Sequence, residues 1–202
     1  MNTPSKKERL IESAAILFHQ NGLMSTSLAD IAKHADIPIG NVYYYFKTKD
    51  DLALAAIEKR KTHFTSLYIY LSENIIDPRE RLIEVVNYYN NVRDEYTKYG
   101  CPIGKAVNDA DIEKEPIAKA AASVFADFVV WAEIQFEELG HEKNAQKYAI
   151  SLMAGIQGAA VMAKAFKNPQ ILADEASRLI NWIESLPNKK IQLGKVGMRT
   201  SG

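Results

Sequence analysis

The sequence contains few of the residues from which catalytic and metal sites are usually built. Its one cysteine, Cys101, excludes a framework of internal disulfide bonds and fits a reducing compartment. The four histidines, His19, His34, His63 and His141, do not have the spacing of metal ligands. The ten glycines form neither a phosphate-binding loop nor a dinucleotide fingerprint, and no G-x-S-x-G elbow occurs. The sequence therefore predicts no enzyme, no cofactor and no metal site.

An excess of one charge and long apolar runs are lacking as well. The chain balances 25 basic against 25 acidic residues, so its net charge indicates neither nucleic acid nor membrane. Glu8 and Glu12 interrupt the apolar stretch that a signal peptide needs, and no later run reaches membrane-spanning length. We therefore expect a cytoplasmic protein with no membrane partner. Up to residue 63, nine basic residues oppose seven acidic ones, a mild excess of the sign that suits phosphate.

Hydrophobic periodicity is helical almost throughout, which predicts an all-α fold of about nine helices. Ser5 with Glu8 forms a capping-box pattern, and Gly22 is expected to end this first helix. Ser27 with Asp30 repeats the pattern for a second helix. A third, short helix is predicted from Ile39, after an interruption at Pro38.

The remaining helices are longer and form a larger second region. Thr48 with Asp51 caps the first of them, and Asp77-Pro78 starts a helix predicted to run to Gly100. Further helices are predicted within 101–115, from Pro116 to Gly140, over 143–167 and over 170–186. We predict a three-helix domain over 1–50, a helical ligand-binding and dimerisation domain over 51–187 and a flexible tail over 188–202.

Three tyrosines stand in a row in the stretch IGNVYYYF, residues 39–46. Neighbouring side chains on a helix point about 100° apart, so the three cannot share one core. Val42 and Phe46 lie at i and i+4 and are predicted to be the buried pair. Tyr43 and Tyr44 are then predicted to face outward.

Residues 25–49 have the order of a helix-turn-helix, in which the second helix lies in the major groove of DNA. Gly40 lets the backbone approach the bases closely, and the Asn41 amide can pair with adenine. Tyrosine hydroxyls, lysines and helix N-termini suit phosphate. The predicted DNA-binding residues are Ser27, Ile39, Gly40, Asn41, Tyr43, Tyr44, Lys47, Thr48 and Lys49.

The stretches TSLADIA (26–32), GNVYYYF (40–46) and KTKDDL (47–52) resemble the TetR family of transcriptional repressors in residue type and spacing. The resemblance implies a homodimer that binds double-stranded operator DNA of near-palindromic sequence and is released by a small-molecule effector. It also implies DNA contacts at Gly40, Asn41, Tyr43, Tyr44 and Lys49. The chain departs from the family at Pro38 and Ile39, where many relatives carry a lysine or serine, so one phosphate or base contact is lost.

The resemblance further implies a ligand cavity in the larger domain. Its predicted lining, which equally fits a packed core, is Tyr88, Tyr89, Phe125, Phe128, Trp131, Met153 and Met162. Such walls suit a largely apolar or aromatic ligand.

The last two helices are implied to form an intersubunit bundle through Ile150, Ala154, Gly158, Val161, Leu179, Trp182 and Ile183. Gly155 and Gly158 lie inside one predicted helix, at a cost of about 1 kcal/mol each relative to alanine. A closely approaching helix offsets this cost, either within one subunit or across two.

Two alternatives to an effector-released regulator remain open. One is a DNA-binding regulator controlled by oxidation of Cys101 or by a protein partner, and a buried, inert thiol would count against it. The other is a helical small-molecule binding protein whose DNA-binding module is non-functional. Salt-dependent affinity for duplex DNA separates this second alternative from a regulator.

Overall fold

The computed structural model describes residues 4–109 and 115–188 of the chain. These residues form ten α-helices and no strand, which confirms the prediction of an all-α fold. The helices are α1 Lys6–Asn21, α2 Leu28–His34, α3 Ile39–Tyr45, α4 Lys49–Asn74, α5 Pro78–Asn91, α6 Arg93–Tyr99, α7 Pro102–Asp109, α8 Glu115–Glu138, α9 Ala145–Phe166 and α10 Gln170–Ser185. The predicted tail lies outside the described residues from position 189 onward, as do residues 110–114 of the predicted 101–115 segment.

The helix starts follow the predicted capping residues. Both capping boxes are formed, with the Ser5 hydroxyl accepting from the Glu8 amide and the Ser27 hydroxyl accepting from the Asp30 amide. Asp77 caps α5 with Pro78 in the first helical position. Local hydrogen bonding of short polar side chains thus fixes where these helices begin.

The prediction of one helix from Asp77 to Gly100 was wrong, because the structure has two helices, α5 and α6, that meet at Val92. Val92 has φ −95° and ψ 11°, away from the ideal helix. The residues before it are Asn90 and Asn91, whose amides compete with helical hydrogen bonds. The Arg93 guanidinium donates to the Asn90 carbonyl at 3.1 Å, which occupies an acceptor that a continuous helix would use.

The described residues group into two compact units, whose divisions fall within α4, before the last residue of α6 and within α8. The first unit contains the residues up to 66 and those from 99 to 124. The second unit contains residues 67–98 and those from 125 onward. The first unit therefore includes α7 and parts of α4 and α8 as well as α1–α3. The domain boundary at residue 50 stays a prediction.

The core of the first unit joins α1, α2, α3 and the start of α4. Its largest buried apolar side chains include Leu10, Ile31, Val42, Phe46 and Leu52. Apolar burial of this kind stabilises by roughly 1.5–3 kcal/mol per large side chain. The short helix α3 is therefore held in place by its buried face rather than by helix propensity.

Helix α7 packs on the C-terminal end of α1 within the first unit. The His19 ring lies 2.6 Å from the Gly100 carbonyl oxygen, measured from Nε2. The Lys105 ammonium donates to the His19 carbonyl at 3.2 Å. Gly22 ends α1 with φ 91°, and an added Cβ there would lie 3.0 Å from Asp109 Oδ2. Glycine therefore provides both the turn and the close approach of α7.

The second unit is built on the packing of α5, α9 and α10. The Arg79 guanidinium at the start of α5 donates to the carbonyls of Ile183, Glu184 and Leu186 at the end of α10, with distances of 3.1 Å to Glu184 and 2.6 Å to Leu186. One helix of the described residues, α9, is long and apolar enough to cross a membrane, with a mean hydropathy of 1.4. Its buried residues belong to the core, and core helices of soluble proteins meet the same criterion.

Candidate nucleic-acid interface

Helix α3 presents two different faces, as the residue pattern predicts. Val42 and Phe46 are 0% and 5% exposed and pack into the core of the first unit. Tyr43 and Tyr44 are 51% and 77% exposed. The prediction that the first pair is buried and the second pair faces outward is therefore confirmed. The Tyr44 ring also meets the half-buried Tyr45 ring edge to face, with 4.9 Å between centroids.

The leading end of α3 is open. Ile39 and Gly40 are exposed, and an added Cβ at Gly40 would meet no atom within 4 Å. Nothing inside the chain therefore requires a glycine at this position. The absence of a side chain leaves space that an external partner can approach. Asn41 beside it is half-buried, and its backbone amide donates to the Pro38 carbonyl at 2.9 Å.

The turn between α2 and α3 is held by residues that sequence reasoning missed. Asp36 has φ 51°, in the left-handed region that Asp and Asn tolerate better than most residues. The amides of Asp36 and Ile37 donate to the carbonyls of Lys33 and Ala32, which is the pattern of a Schellman motif. The Arg9 guanidinium donates to the Asp36 carbonyl at 3.1 Å and also to the preceding carbonyl. Asp36 in this short interruption was the available sequence signal.

The two predicted lysine contacts differ in their surroundings. Lys47 is exposed, and its ammonium donates to the Tyr43 carbonyl at 3.2 Å. Lys49 is half-buried, and its ammonium donates to the Leu23 carbonyl at 2.9 Å, with the Met24 carbonyl at 3.5 Å. Lys49 therefore ties the chain after α1 to the start of α4. The positive charge of Lys49 lies close to α3, but part of the hydrogen-bonding capacity of its ammonium is used within the protein.

Ser27 and Thr48 use their hydroxyls to cap helices. The Ser27 hydroxyl donates to Asp30 Oδ2 at 2.6 Å and accepts from the Asp30 amide at 3.1 Å. The side-chain hydrogen bond, followed by the backbone one, lowers the pKa of Asp30. The Thr48 hydroxyl accepts from the Asp51 amide at 3.0 Å. Both hydroxyls thus lie at exposed helix starts, each beside a carboxylate.

Two comparisons of sequence with known families cover most of the chain. Residues 10–56 match the family model of bacterial regulatory proteins of the tetR family, and residues 80–178 match the C-terminal domain of LmrA/YxaF-like transcriptional regulators. The chain belongs to the TetR family of transcriptional regulators. The chain is a DNA-binding regulator of the TetR type. Helix α3 is the second helix of its helix-turn-helix, which is the position of the recognition helix in such domains.

Individual members of the TetR family are similar to this chain over different shares of its length. It is 25% identical over 177 residues to the HTH-type transcriptional regulator LmrA of Bacillus subtilis, covering 83% of this chain and 91% of LmrA. It is 27% identical over 106 residues to IcaR of Staphylococcus aureus, the HTH-type negative transcriptional regulator of the biofilm operon icaADBC, covering 45% of this chain and 57% of IcaR. A TetR transcriptional regulator from Legionella pneumophila has the same fold, with a TM-score of 0.80 and 20% identity over 89% of this chain and 97% of that one.

Most of the predicted ligand-binding residues of this TetR-family chain pack against other aromatic rings. The Tyr68 and Trp131 rings stack with 5.0 Å between centroids, and Phe128 meets both. Burial raises the pKa of the Tyr68 phenol, which also forms a hydrogen bond with Tyr89. Of the predicted set, Tyr89, Phe128, Trp131 and Met153 are buried, Tyr88 and Phe125 are half-buried and Met162 is exposed.

The second unit contains a small cavity of about 10 Å³ between α5, α9 and α10. Tyr89 from the predicted set borders it, together with Asn90. The buried Asn90 Oδ1 has no hydrogen-bond partner among the described residues. This volume is below the roughly 300–1,000 Å³ of common ligand pockets.

The predicted dimer residues divide into two groups. Ile150, Ala154, Gly158 and Val161 form an exposed apolar stripe on α9. Leu179 and Ile183 do not fit the prediction, because they are only 1% and 0% exposed within the chain itself. Their apolar spacing on α10 serves the contact of α10 with α5 and α9 instead. Trp182 is half-buried and packs against the rings of Phe136 and Tyr148.

The two glycines of α9 have different surroundings. An added Cβ at Gly155 would lie 2.5 Å from Glu175 Oε1 and 3.4 Å from Leu179. At Gly158 it would meet nothing within 4 Å. Close approach of α10 within one chain therefore accounts for Gly155, and the exposed position of Gly158 leaves room for another molecule.

Neither metal chemistry nor thiol chemistry finds support in the described residues. They contain no group of three or more His, Cys, Asp or Glu side chains placed to hold a metal ion. Cys101 is buried, and its sulfur accepts from the Gly104 amide at 3.4 Å. A buried thiol reacts slowly because oxidants do not reach it.

Proposed function

We propose that this TetR-family regulator is a repressor that binds double-stranded operator DNA as a homodimer, with α3 of each subunit in the major groove. The observation that carries the proposal is the outward face of α3, where Tyr43 and Tyr44 lie beside an open Gly40. A short helix with its other face buried can enter a groove without losing its support. IcaR, which is similar over 45% of this chain, is a negative transcriptional regulator.

Each exposed residue has a defined part in this interface. Gly40 permits the closest approach, Asn41 pairs with a base edge and the hydroxyls of Tyr43 and Tyr44 bind phosphate or place their rings against thymine methyls. Lys47 binds phosphate as an exposed cation. The other predicted contacts, Ser27, Ile39, Thr48 and Lys49, lie at the rim, and three of them also cap or tie helices of the first unit.

The apolar stripe of α9 supports the homodimer. Two-fold symmetric regulators read half-sites about 34–36 Å apart, one turn of DNA, so one recognition helix needs a partner copy. Ile150 and Val161 are exposed on α9, and Val130 and Ile134 are exposed on α8 in the same unit. Apolar side chains of this kind suit a surface that a second copy covers.

Release of DNA by a small, largely apolar or aromatic effector is the part of the proposal that concerns the second unit. Its support is the aromatic set around Tyr68, Tyr89 and Trp131, together with the unpartnered Asn90 Oδ1 beside the small cavity. An effector acts by binding the DNA-free arrangement more tightly than the DNA-bound one. We place the protein in the cytoplasm, where its operator is, and assign it no catalytic activity.

The two alternatives differ in how they fit the structure. Control through Cys101 requires an oxidant to reach a buried thiol, so the structure gives it less support than control by a bound effector. A protein partner in place of an effector remains compatible with the exposed apolar residues. A non-functional DNA module would give no reason for two adjacent outward tyrosines after an open glycine.

The experiment that tests this proposal is selection of bound fragments from a pool of random duplex DNA by the purified protein. We expect enrichment of an inverted repeat whose half-sites lie about one helical turn apart. Enrichment of a single half-site would contradict the homodimer, and no enrichment at moderate salt would contradict sequence-specific regulation. The selected duplex then serves as the probe for effectors that release it.

A further inference from the structure

Helix α3 depends on its surroundings for its position. It has seven residues, and Pro38 at its N-cap forms no side-chain cap hydrogen bond, whereas α2 begins with a complete capping box. Isolated helices of this length are not stable in water, so packing and the flanking chain must hold them. Two features can therefore place α3: the burial of its apolar side chains and the turn that leads into it.

Burial fixes which face of α3 is covered but not where its leading end lies. Val42 and Phe46, the buried pair, lie nearly along one line parallel to the helix axis. Two contacts on one line leave the helix free to rock about that line. The leading end, which carries Gly40 and Asn41, is thus positioned by the chain that enters α3.

The entering chain is the turn over residues 35–38. Asp36 has φ 51° there, and the amides of Asp36 and Ile37 close the end of α2. The carbonyls of Ala35 and Asp36 lie past the last residue of α2, at the negative end of its helix dipole. These two carbonyls are backbone groups through which another element can hold the turn.

Arg9 of α1 holds the turn through these two carbonyls. Its guanidinium Nη2 donates to the Ala35 carbonyl and, at 3.1 Å, to the Asp36 carbonyl. The Asp36 carboxylate lies 3.6 Å from the same nitrogen but is fully exposed, so this ion pair contributes little. The tie is therefore made to backbone, and it links the turn to α1, whose next residue, Leu10, is fully buried.

We propose that Arg9 is a positioning residue for DNA recognition, which holds the leading end of α3 at the angle that base contacts need. This inference rests on the proposed binding of α3 in the major groove. Hydrogen bonds to base edges require donor–acceptor distances of about 2.7–3.2 Å, whereas attraction to phosphate falls slowly with distance. Loss of the tie should therefore reduce discrimination between DNA sequences more than general affinity for DNA.

The test compares wild type with Arg9→Met, which keeps an unbranched apolar stem and removes the charge and the donors. Both proteins are titrated with the selected operator duplex and with a scrambled duplex of the same composition, at several salt concentrations. We expect operator affinity to fall about tenfold or more and affinity for the scrambled duplex to stay within about twofold of wild type. The salt slope on the operator should not change, because no phosphate contact is lost.

Two further variants separate the tie from other effects. Asp36→Asn removes only the exposed carboxylate and keeps both carbonyls and the tolerance of positive φ, so its operator affinity should not fall below that of wild type. Arg9→Lys keeps the charge and offers an ammonium in place of the planar fork, so it should recover part of the affinity that Arg9→Met loses. Helical circular dichroism checks that all three variants fold.

Amide hydrogen exchange of the DNA-free protein keeps this inference separable from the proposed function. We expect the Asp36 and Ile37 amides to exchange faster in Arg9→Met than in wild type, because the tie no longer limits opening of the turn. Unchanged exchange would overturn the proposal even if wild type binds no operator. Wild-type operator affinity in a folded Arg9→Met protein would overturn it as well. An equal loss on both duplexes, with a salt slope lower by about one unit, would assign Arg9 to a phosphate contact instead.

Discussion

The two units leave different kinds of side chain uncovered. In the first unit the uncovered face of α3 carries Tyr43 and Tyr44, which combine an apolar ring with a hydrogen-bonding hydroxyl. In the second unit the uncovered positions of α9 carry Ile150, Val161 and Phe166, whose side chains have no hydrogen-bonding groups. A face of the first kind suits phosphates and base edges, and a face of the second kind suits another protein surface.

Of all the single substitutions in this comparison, one on the buried side of α3 should lower the free energy of unfolding most. Phe46→Ala removes a buried ring from the core of the first unit, at a cost of about 3–5 kcal/mol in the free energy of unfolding. Tyr44→Ala, two residues away on the exposed face, should change stability by no more than about 0.5 kcal/mol. Guanidinium chloride unfolding of both variants measures the difference. Equal destabilisation by the two changes would contradict the assignment of faces.

The two lysines beside α3 should separate stability from DNA affinity. Lys49→Ala removes hydrogen bonds to the Leu23 and Met24 carbonyls, so we expect a loss of about 1–3 kcal/mol in unfolding free energy. Lys47→Ala should leave stability nearly unchanged and lower the slope of DNA affinity against salt by about one unit. Unfolding curves and binding at several salt concentrations test the pair together. A loss of stability in the Lys47 variant that matched the Lys49 variant would contradict this division.

These contrasts also explain how much of the molecule the sequence predicts. The faces of α3 follow from spacing alone, because a short helix with one apolar pair has one way to bury it. The helix starts follow from Ser5, Ser27 and Asp77, whose side chains act on amides two or three residues away. Such local interactions are visible in a single sequence.

The partner that a side chain contacts in the fold cannot be read from the local sequence in the same way. An apolar stripe on α10 has the same spacing whether a helix of the same chain or of a second chain covers it, so Leu179 and Ile183 were assigned to the wrong neighbour. The roles of Arg9 and Lys49 depend on carbonyl groups 26 residues away in sequence. No residue pattern predicts which backbone carbonyl a long side chain will reach.

Substitution of Gly158, the exposed glycine of α9, should have a smaller effect, and this effect is on the affinity of the dimer. Gly158→Leu should disrupt a dimer that packs on the α9 stripe, and we expect the dimer dissociation constant to rise by about tenfold, near 1.4 kcal/mol. Gln146→Leu, at an exposed position of α9 about 120° around the helix from Gly158, is the matched control. Sedimentation equilibrium measures both. A dimer that the Gln146 change weakens and the Gly158 change does not would place the interface on another face.

The smallest effect concerns acid stability at the start of α2. Hydrogen bonds from Ser27 lower the pKa of Asp30 in the folded chain. The stability from this carboxylate is therefore present above its ordinary pKa near 4 and is lost as the pH falls through the lower folded value. Ser27→Ala should reduce this pH dependence, which thermal unfolding between about pH 2 and pH 5 detects. Parallel pH curves for wild type and variant would show that the capping box does not contribute.

The central claim is that the open face of α3 is the surface that binds DNA, and Gly40→Leu tests it most directly. A Cβ added at Gly40 meets no atom within 4 Å and the position is exposed, so we expect the variant to fold and dimerise like wild type. On the selected operator duplex we predict a loss of affinity of about tenfold or more, because the side chain occupies the space of closest approach to the bases. Wild-type affinity in a folded, dimeric Gly40→Leu protein would contradict the account.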